Sequence, residues 1–219
     1  GPTHHGLFDI AYLNCVPNII AMAPKDEDEL ADMMFTATHQ NQPVFIRYPR
    51  GNGVGVTVKE QPTLIEISKA EVIQNFSNNG KIKVAFFVLG PLRDIADQAI
   101  ERLGPEHIDA AIINPRFTKP IDTGTTDFLA KASDIIVTIE DHVLNGGYGS
   151  IVRDHLADQN INTPVIRIGW PDKFIEHASS VDYLRKKHGL TGEVAAEKIK
   201  QVIGNNNKEL LSIDNVNSN

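Results

Sequence analysis

The chain has 219 residues, of which 41% are hydrophobic and 22% charged, and its formal net charge is -7. This composition is ordinary for a globular protein with one large domain, or one domain and part of another. The longest apolar runs, such as residues 84–89, are strand-sized and far shorter than the roughly 20 residues of a membrane span. No basic stripe with interleaved aromatic residues occurs. We therefore expect neither a membrane nor a nucleic acid as a partner.

The cysteine content and the N-terminus bear on the compartment. A single cysteine, Cys15, cannot form an internal disulfide, which fits a reducing environment. We interpret Cys15 as a small buried apolar residue. No basic segment followed by an apolar one marks a secretory signal, so a cytoplasmic location is the expectation.

The first segment opens on a loop and continues with short elements. Residues 1–6 could include a protease scar and a tag remnant, although the sequence after them continues the same motif. Residues 18–23 form an apolar strand, and the acidic run 26–29 suits the first turn of a helix, where the macrodipole favours negative charge. A second strand at 43–48 follows that helix. A helix followed by a strand indicates part of a larger parallel sheet.

A domain boundary is predicted between residues 53 and 68. Gly53, Gly55 and Pro62 interrupt regular structure there, so the stretch is interpreted as a linker. From residue 69 a second unit begins. Strands at 71–76 and 83–89 flank Ser-Asn-Asn-Gly, which predicts a hairpin.

Alternating helices and strands fill the rest of the second unit. Helical patterns begin near 91, 122, 148, 181 and 192, and strands are predicted at 108–113, 134–139 and 164–168. This alternation is typical of an α/β fold with a mainly parallel, doubly wound sheet, whose functional loops lie at the carboxyl ends of its strands. The asparagine-rich tail from 205 to 219 is predicted to be flexible.

Four short motifs, at residues 1–27, at 46–52, at 117–122 and at 137–141 with 146–150, resemble the 1-deoxy-D-xylulose-5-phosphate synthase family, and together they span nearly the whole chain. Two are specific to that family, and two also resemble the wider transketolase group. The specific motifs are Gly-Pro-Thr-His-His-Gly-Leu-Phe-Asp-Ile at 1–10, continuing through residue 27, and Ile-Arg-Tyr-Pro-Arg-Gly-Asn at 46–52; the general motifs are at 117–122 and at 137–141 with 146–150.

The resemblance implies a domain order. Residues 1–52 would be the C-terminal part of a middle domain that binds the aminopyrimidine ring of thiamine diphosphate. A linker at 53–68 would lead to a transketolase C-terminal-like domain at 69–204, followed by the tail. The domain that binds the diphosphate and its metal would lie upstream of this chain.

The resemblance also implies a reaction. The family joins pyruvate to D-glyceraldehyde 3-phosphate with loss of carbon dioxide, using thiamine diphosphate and Mg²⁺, and supplies isoprenoid, thiamine and pyridoxal synthesis. Full-length members are expected to be homodimers. Because the main cofactor ligands lie outside this chain, we expect no turnover by the 219 residues alone.

Three residues are predicted to belong to the active site through this resemblance. His4 matches the catalytic histidine, and an imidazole can donate to a developing alkoxide or relay a proton. His5, where many members have glutamine, would be a neighbour with a weak claim to substrate binding. Arg50 matches the arginine that binds the acceptor's phosphate, a group that a guanidinium grips through parallel hydrogen bonds. Its rival Arg47 is interpreted as structural, paired with a carboxylate or a carbonyl.

The remaining polar and aromatic features are given structural interpretations. Glycine-rich 146–150 precedes a helix and could bind an anion, but a tight turn with close packing is favoured. Glu140 and Asp141, at a strand end, could act as acid-base groups, but a solvated or pairing role at a subunit interface is favoured. Trp170 is interpreted as a packing residue.

Two alternatives remain open. The chain could belong to another transketolase-like enzyme, such as transketolase or a 2-oxoacid dehydrogenase β subunit. It could also be a non-catalytic assembly module.

Overall fold

A five-stranded sheet forms the centre of the fold. The computed structural model of the chain describes residues 4–105, 107–177 and 179–216, with side chains to residue 204. The strand order is β3-β5-β4-β7-β8, and β5, β4, β7 and β8 are parallel while β3 is antiparallel at one edge. The strands are β3 (Glu71–Gln74), β4 (Ile82–Val88), β5 (Ile108–Asn114), β7 (Ile135–Val143) and β8 (Val165–Trp170). This arrangement confirms the predicted α/β class.

Helices cover both faces of this sheet. Successive residues of a strand point to opposite faces, so Phe86 packs in one core and Phe87 in the other. One face is covered by α3 (Arg93–Leu103) and α7 (Gly192–Val216), and the other by α4 (Thr123–Ala132) and α5 (Tyr148–Asp158). Both faces are therefore apolar, which explains the almost uninterrupted hydrophobic strands.

A smaller three-stranded sheet is formed by the first segment and one strand from the second unit. The order is β2-β1-β6, where β1 (Ile20–Met22) and β2 (Val44–Ile46) are parallel and β6 (Phe117–Lys119) is antiparallel to β1. Helix α2 (Glu27–Ala37) connects β1 to β2, and Asp26 caps it by accepting from the Glu29 amide at 2.8 Å. Neither β6 nor the short helix α1 (Asp9–Asn14) was predicted from the sequence.

The predicted hairpin between 71–76 and 83–89 is wrong. Strand β3 pairs with β5, not with β4, and β4 lies between β5 and β7. The turn that joins them is held by Asp109 at the start of β5, whose carboxylate accepts from the amides of Ser77 and Asn78, both at 2.8 Å. A parallel partner on each side of β4 leaves no free edge for β3.

Residues 53–68 contain no helix or strand, but they are anchored along α2. Its carboxylates and one hydroxyl accept from backbone amides of the segment: Glu27 from Val54, Gly55 and Val56, Asp28 from Lys59, Asp32 from Thr63, and Thr36 from Ile65. The acidic residues of α2 thus stabilise this connection as well as the start of their own helix.

The C-terminal region ends with two helices. Helix α6 (Val181–His188) has Ser180 as its N-cap and Gly189, with φ +81°, after its last turn. Helix α7 continues to Val216, into the segment predicted as a tail, and residues 217–219 lie outside the described part. Within the described ranges, no helix has the length and apolar composition that a membrane crossing requires.

Candidate active site

An open cavity of about 1000 Å³ lies where the two sheets meet. Its walls come from the loop at 4–9, the segments that follow β1, β2 and β4, and the last part of β7, joined by the start of α2 and by α6. The carboxyl ends of parallel strands are where α/β folds bind ligands. The cavity lies in such a position.

Arg50 and His4 line this one cavity, although 46 positions separate them in sequence. Arg50 follows β2 and is exposed, and no described residue forms a hydrogen bond or an ion pair with its side chain. His4 is also exposed at the cavity wall. The structure therefore brings together the two residues with the strongest sequence predictions, while Thr3 of that motif lies outside the described residues.

Arg47 braces the loop that carries His4. Its Nε lies 2.9 and 2.8 Å from the two carboxylate oxygens of Asp9, and its Nη2 donates to the Gly6 carbonyl at 3.0 Å. Nη2 also donates to the Asp141 carbonyl at the end of β7. These contacts confirm the predicted pairing of Arg47 with a carboxylate and with carbonyls, and Arg47 also lines the cavity.

A buried histidine fixes the start of α1. The His142 Nε2 accepts from the Ala11 amide at 3.3 Å, and its Nδ1 lies 2.6 Å from the Val143 carbonyl. Burial lowers the pKa of His142, so the imidazole is neutral near pH 7 and carries its proton on Nδ1. This neutral ring caps an amide in the first turn of α1 and helps to hold the His4 loop against β7.

His5 lies in an aromatic cluster and does not line the cavity. Its ring centroid is 5.9 Å from that of Phe8, 5.6 Å from Phe174 and 4.7 Å from His177. The two imidazole Nε2 atoms are 3.2 Å apart. His5 thus links the loop of His4 to the loop that follows β8, and substrate binding by His5 stays a prediction.

Cys15 is exposed at the C-terminal end of α1, so its interpretation as a buried residue is wrong. The residue follows the last turn of a short helix, where its side chain lies outside the core.

Trp170, in contrast, is 3% exposed, and its Nε1 donates to Asp141 Oδ1 at 2.5 Å. The predicted packing role of Trp170 is confirmed.

The glycine-rich turn before α5 packs around the buried carboxyl group of Glu140. Glu140 is fully buried, and it accepts from the amides of Tyr148 at 2.6 Å and Gly149 at 2.9 Å. A Cβ on Gly147 would lie 2.3 Å from Glu140 Oε2, which explains glycine there. The close-packing interpretation of 146–150 is confirmed, whereas the interpretation of Glu140 as solvated is wrong.

The Glu140 carboxyl group should make the free energy of unfolding depend on pH. Burial raises its pKa to about 7, against two opposing amide hydrogen bonds. The folded carboxyl keeps its proton between about pH 4.5 and 7 while the unfolded one loses it, so stability falls as pH rises through this window. We expect a loss on the order of 3 kcal/mol in the free energy of unfolding from this group.

The measurement is urea denaturation of the 219-residue chain at several pH values, compared with Glu140→Gln. The variant should be less stable at low pH, because an amide nitrogen would face a backbone N–H, but its stability should change less between pH 4.5 and 8. Parallel pH profiles for both proteins would contradict the raised pKa.

Sequence analysis missed one cationic residue of the cavity. Arg185, in the last turn of α6, lines the cavity, and its Nη2 lies 3.9 Å from Asp141 Oδ2. Nothing in the local pattern distinguishes Arg185 from the neighbouring Lys186 and Lys187. Only the packing of α6 beside β7 brings it to the site.

A metal site would need several His, Cys, Asp or Glu side chains directed at one point. Among the described side chains, no group of three or more His, Cys, Asp and Glu residues is arranged to hold a metal ion. These residues do not fit the Mg²⁺ diphosphate group that the resemblance implies.

The fold and the position of the cavity define a transketolase-type α/β protein. A solved structure of a split-gene transketolase, in an inactive β4 tetramer, superposes with a TM-score of 0.74 over 93% of this chain and 63% of that one, at 24% identity. Family models for the transketolase pyrimidine-binding domain and the transketolase C-terminal domain match residues 1–54 and 78–194. The chain belongs to the transketolase C-terminal domain family, whose model covers more than half of it.

Among curated proteins, the similarity is to a more particular group. The chain is 54% identical, over 93% of its length, to 1-deoxy-D-xylulose-5-phosphate synthase of Methylacidiphilum infernorum, and 50% identical, over 91%, to that of Acidobacterium capsulatum. It spans 31% of either relative. The predicted resemblance to this family is confirmed.

Proposed function

We propose that this chain is the C-terminal third of a 1-deoxy-D-xylulose-5-phosphate synthase, which condenses pyruvate with D-glyceraldehyde 3-phosphate and releases carbon dioxide. One observation carries the proposal: His4 and Arg50 line a single cavity in a chain 54% identical to such a synthase. A role in supplying precursors for isoprenoids, thiamine and pyridoxal follows from that reaction.

The two residues have separate roles in this proposal. Arg50 binds the phosphate of the acceptor through parallel hydrogen bonds, for which a guanidinium without a partner among the described residues is suited. The His4 imidazole donates to the oxygen of the acceptor aldehyde as negative charge develops there, or returns a proton to it. Arg47 and Asp9 hold the loop at 4–9, which limits the movement of His4 relative to Arg50.

The proposed cofactors are thiamine diphosphate and Mg²⁺, with their main ligands outside this chain. The cofactor supplies the electron sink for loss of carbon dioxide. Residues 1–52 would form the end of the pyrimidine-binding domain, 53–68 a linker, 69–204 the C-terminal domain and 205–219 a tail. The family-model matches at 1–54 and 78–194 support this division.

We further propose a homodimer in the cytoplasm for the full-length protein. The tetrameric state of the similar solved structure supports self-association. Exposed apolar side chains on the first segment, such as Tyr12 at 61% and Phe45 at 43%, offer surface for a partner chain or for the upstream domains.

The experiment is to incubate the full-length protein with pyruvate, D-glyceraldehyde 3-phosphate, thiamine diphosphate and Mg²⁺, and to detect 1-deoxy-D-xylulose 5-phosphate by NMR. The 219-residue chain alone should form none and should not decarboxylate pyruvate. A full-length protein that uses another acceptor, or none, would refute the proposed function. Decarboxylation by the short chain would refute its proposed inactivity.

A further inference from the structure

Arg185 has an incompletely satisfied guanidinium at the cavity. Its Nε is buried and has no hydrogen-bond partner among the described residues. Its only ion pair there is the 3.9 Å contact with Asp141, which is longer than a hydrogen bond. Because Nε is buried, an acceptor in the cavity would be bound through the Nη groups, whose one charged contact with a described residue is this loose pair.

Three of the acidic groups that line the cavity are engaged by other parts of the protein. Asp9 pairs with Arg47, Glu27 accepts from three amides of residues 54–56, and Asp26 caps α2. Asp141 accepts from Trp170 at 2.5 Å. Asp182 also lines the cavity, from the first turn of α6, where the helix dipole favours negative charge.

Two guanidinium groups of the cavity are therefore available to a ligand. Arg50 has no ion pair among the described side chains, and Arg185 has one loose pair, whereas Arg47 is engaged by Asp9 and by two backbone carbonyls. A phosphate monoester carries between one and two negative charges near pH 7 and has three acceptor oxygens. A dianion of this kind can use two guanidinium groups, whereas a carboxylate is matched by one bidentate contact.

We propose that Arg185 is a second phosphate-binding arginine of the acceptor site, acting with Arg50 from the opposite unit of the fold. This inference rests on the proposed function, because it assigns the ligand of the same cavity. The Asp141 carboxylate, held by Trp170, orients the guanidinium toward the cavity. Binding of the phosphate would then fasten α6 to the segment that follows β2.

The test uses the full-length protein with thiamine diphosphate and Mg²⁺, and the variants Arg185→Met, Arg185→Lys and Lys186→Met. Steady-state kinetics would compare D-glyceraldehyde 3-phosphate with unphosphorylated D-glyceraldehyde as the acceptor. Arg185→Met should lower kcat/KM for the phosphorylated acceptor roughly 10- to 100-fold and change that for D-glyceraldehyde little. Arg185→Lys should give an intermediate kcat/KM for the phosphorylated acceptor, because lysine keeps the positive charge but lacks the planar guanidinium that donates two parallel hydrogen bonds.

Lys186→Met is the matched control, since it removes a positive charge from an adjacent exposed position of α6 that does not line the cavity. It should behave as wild type. Equilibrium dialysis of inorganic phosphate provides a readout apart from activity, and Arg185→Met should weaken this binding by a similar factor. If Arg185→Met does not fold, as judged by circular dichroism, Arg185→Lys decides the outcome.

Three results would overturn the proposal: unchanged kinetics and phosphate binding, equal losses with both acceptors, or a change confined to the KM for pyruvate. A wild-type protein that forms no product would refute the proposed function instead. In that case phosphate binding by wild type and variants still decides the role of Arg185.

Discussion

Replacing Arg50 with methionine in the full-length protein is expected to lower kcat/KM for D-glyceraldehyde 3-phosphate at least roughly 100-fold, because the acceptor phosphate would lose a bidentate contact. The side chain is exposed at the cavity wall and has no partner among the described residues, so the change should disturb little else. Steady-state kinetics with varied acceptor would measure it. The KM for pyruvate should change much less.

Arg93→Met is a suitable control for Arg50→Met. Arg93 is an exposed arginine on α3 whose partner is Asp97, at 3.3 Å in an i,i+4 pair, and such pairs contribute little. Its removal should leave both kinetic constants unchanged. If Arg50→Met retains wild-type kcat/KM for the phosphorylated acceptor, Arg50 does not bind the phosphate.

The second large effect is expected at Glu29, which lies 2% exposed between the two units of the fold. Its carboxylate accepts from Arg116 Nε at 2.7 Å and from Asn114 Nδ2 at 2.8 and 2.9 Å, and it lies 3.3 Å from Lys25 Nζ. Glu29→Gln would leave Arg116 with Glu71 at 3.4 Å, and Lys25 with Glu71 at 2.9 Å and Asp26 at 3.9 Å, and both of these carboxylates are more exposed than Glu29. We expect a loss of about 3 kcal/mol in the free energy of unfolding.

Urea denaturation of the 219-residue chain would measure this loss. Glu101→Gln serves as the control, since it removes the same charge from an exposed position on α3 and should change stability by less than about 0.5 kcal/mol. Equal midpoints for the two variants would show that the buried carboxylate contributes nothing net. A loss confined to Glu29→Gln would show that this network holds α2 against the β5–β6 turn.

Most elements of the larger sheet were predictable from the sequence. Strands β4, β5 and β7 are nearly continuous runs of apolar residues, and the helix signals at Asp122, Ser180 and Gly189 are local cap chemistry. The pairing of β3 was not predictable, because a turn sequence indicates a reversal but does not specify the partner. Only the parallel partners on both sides of β4 determine that β3 pairs with β5.

The linker at 53–68 was also only partly predictable from the sequence. Glycine and proline predicted an irregular segment, which the structure has. The acidic residues of α2 were interpreted through the helix dipole, a local effect. Their carboxylates accept from backbone amides of residues 54–63, which lie 27 to 31 positions away, and no local pattern indicates such pairs.

The sequence by itself determined the class of fold, the family resemblance and the candidacy of His4 and Arg50, because these depend on local periodicity and on residue types in short motifs. The tertiary structure alone decided that both residues line one cavity. It also decided that Arg47 is engaged by Asp9 while Arg185 is not fully paired, and that the Glu140 carboxyl group accepts from an amide at the start of α5. These facts arise from contacts between segments far apart in sequence. Burial and pairing depend on tertiary packing. They therefore give different roles to arginines and carboxylates that the sequence alone does not distinguish.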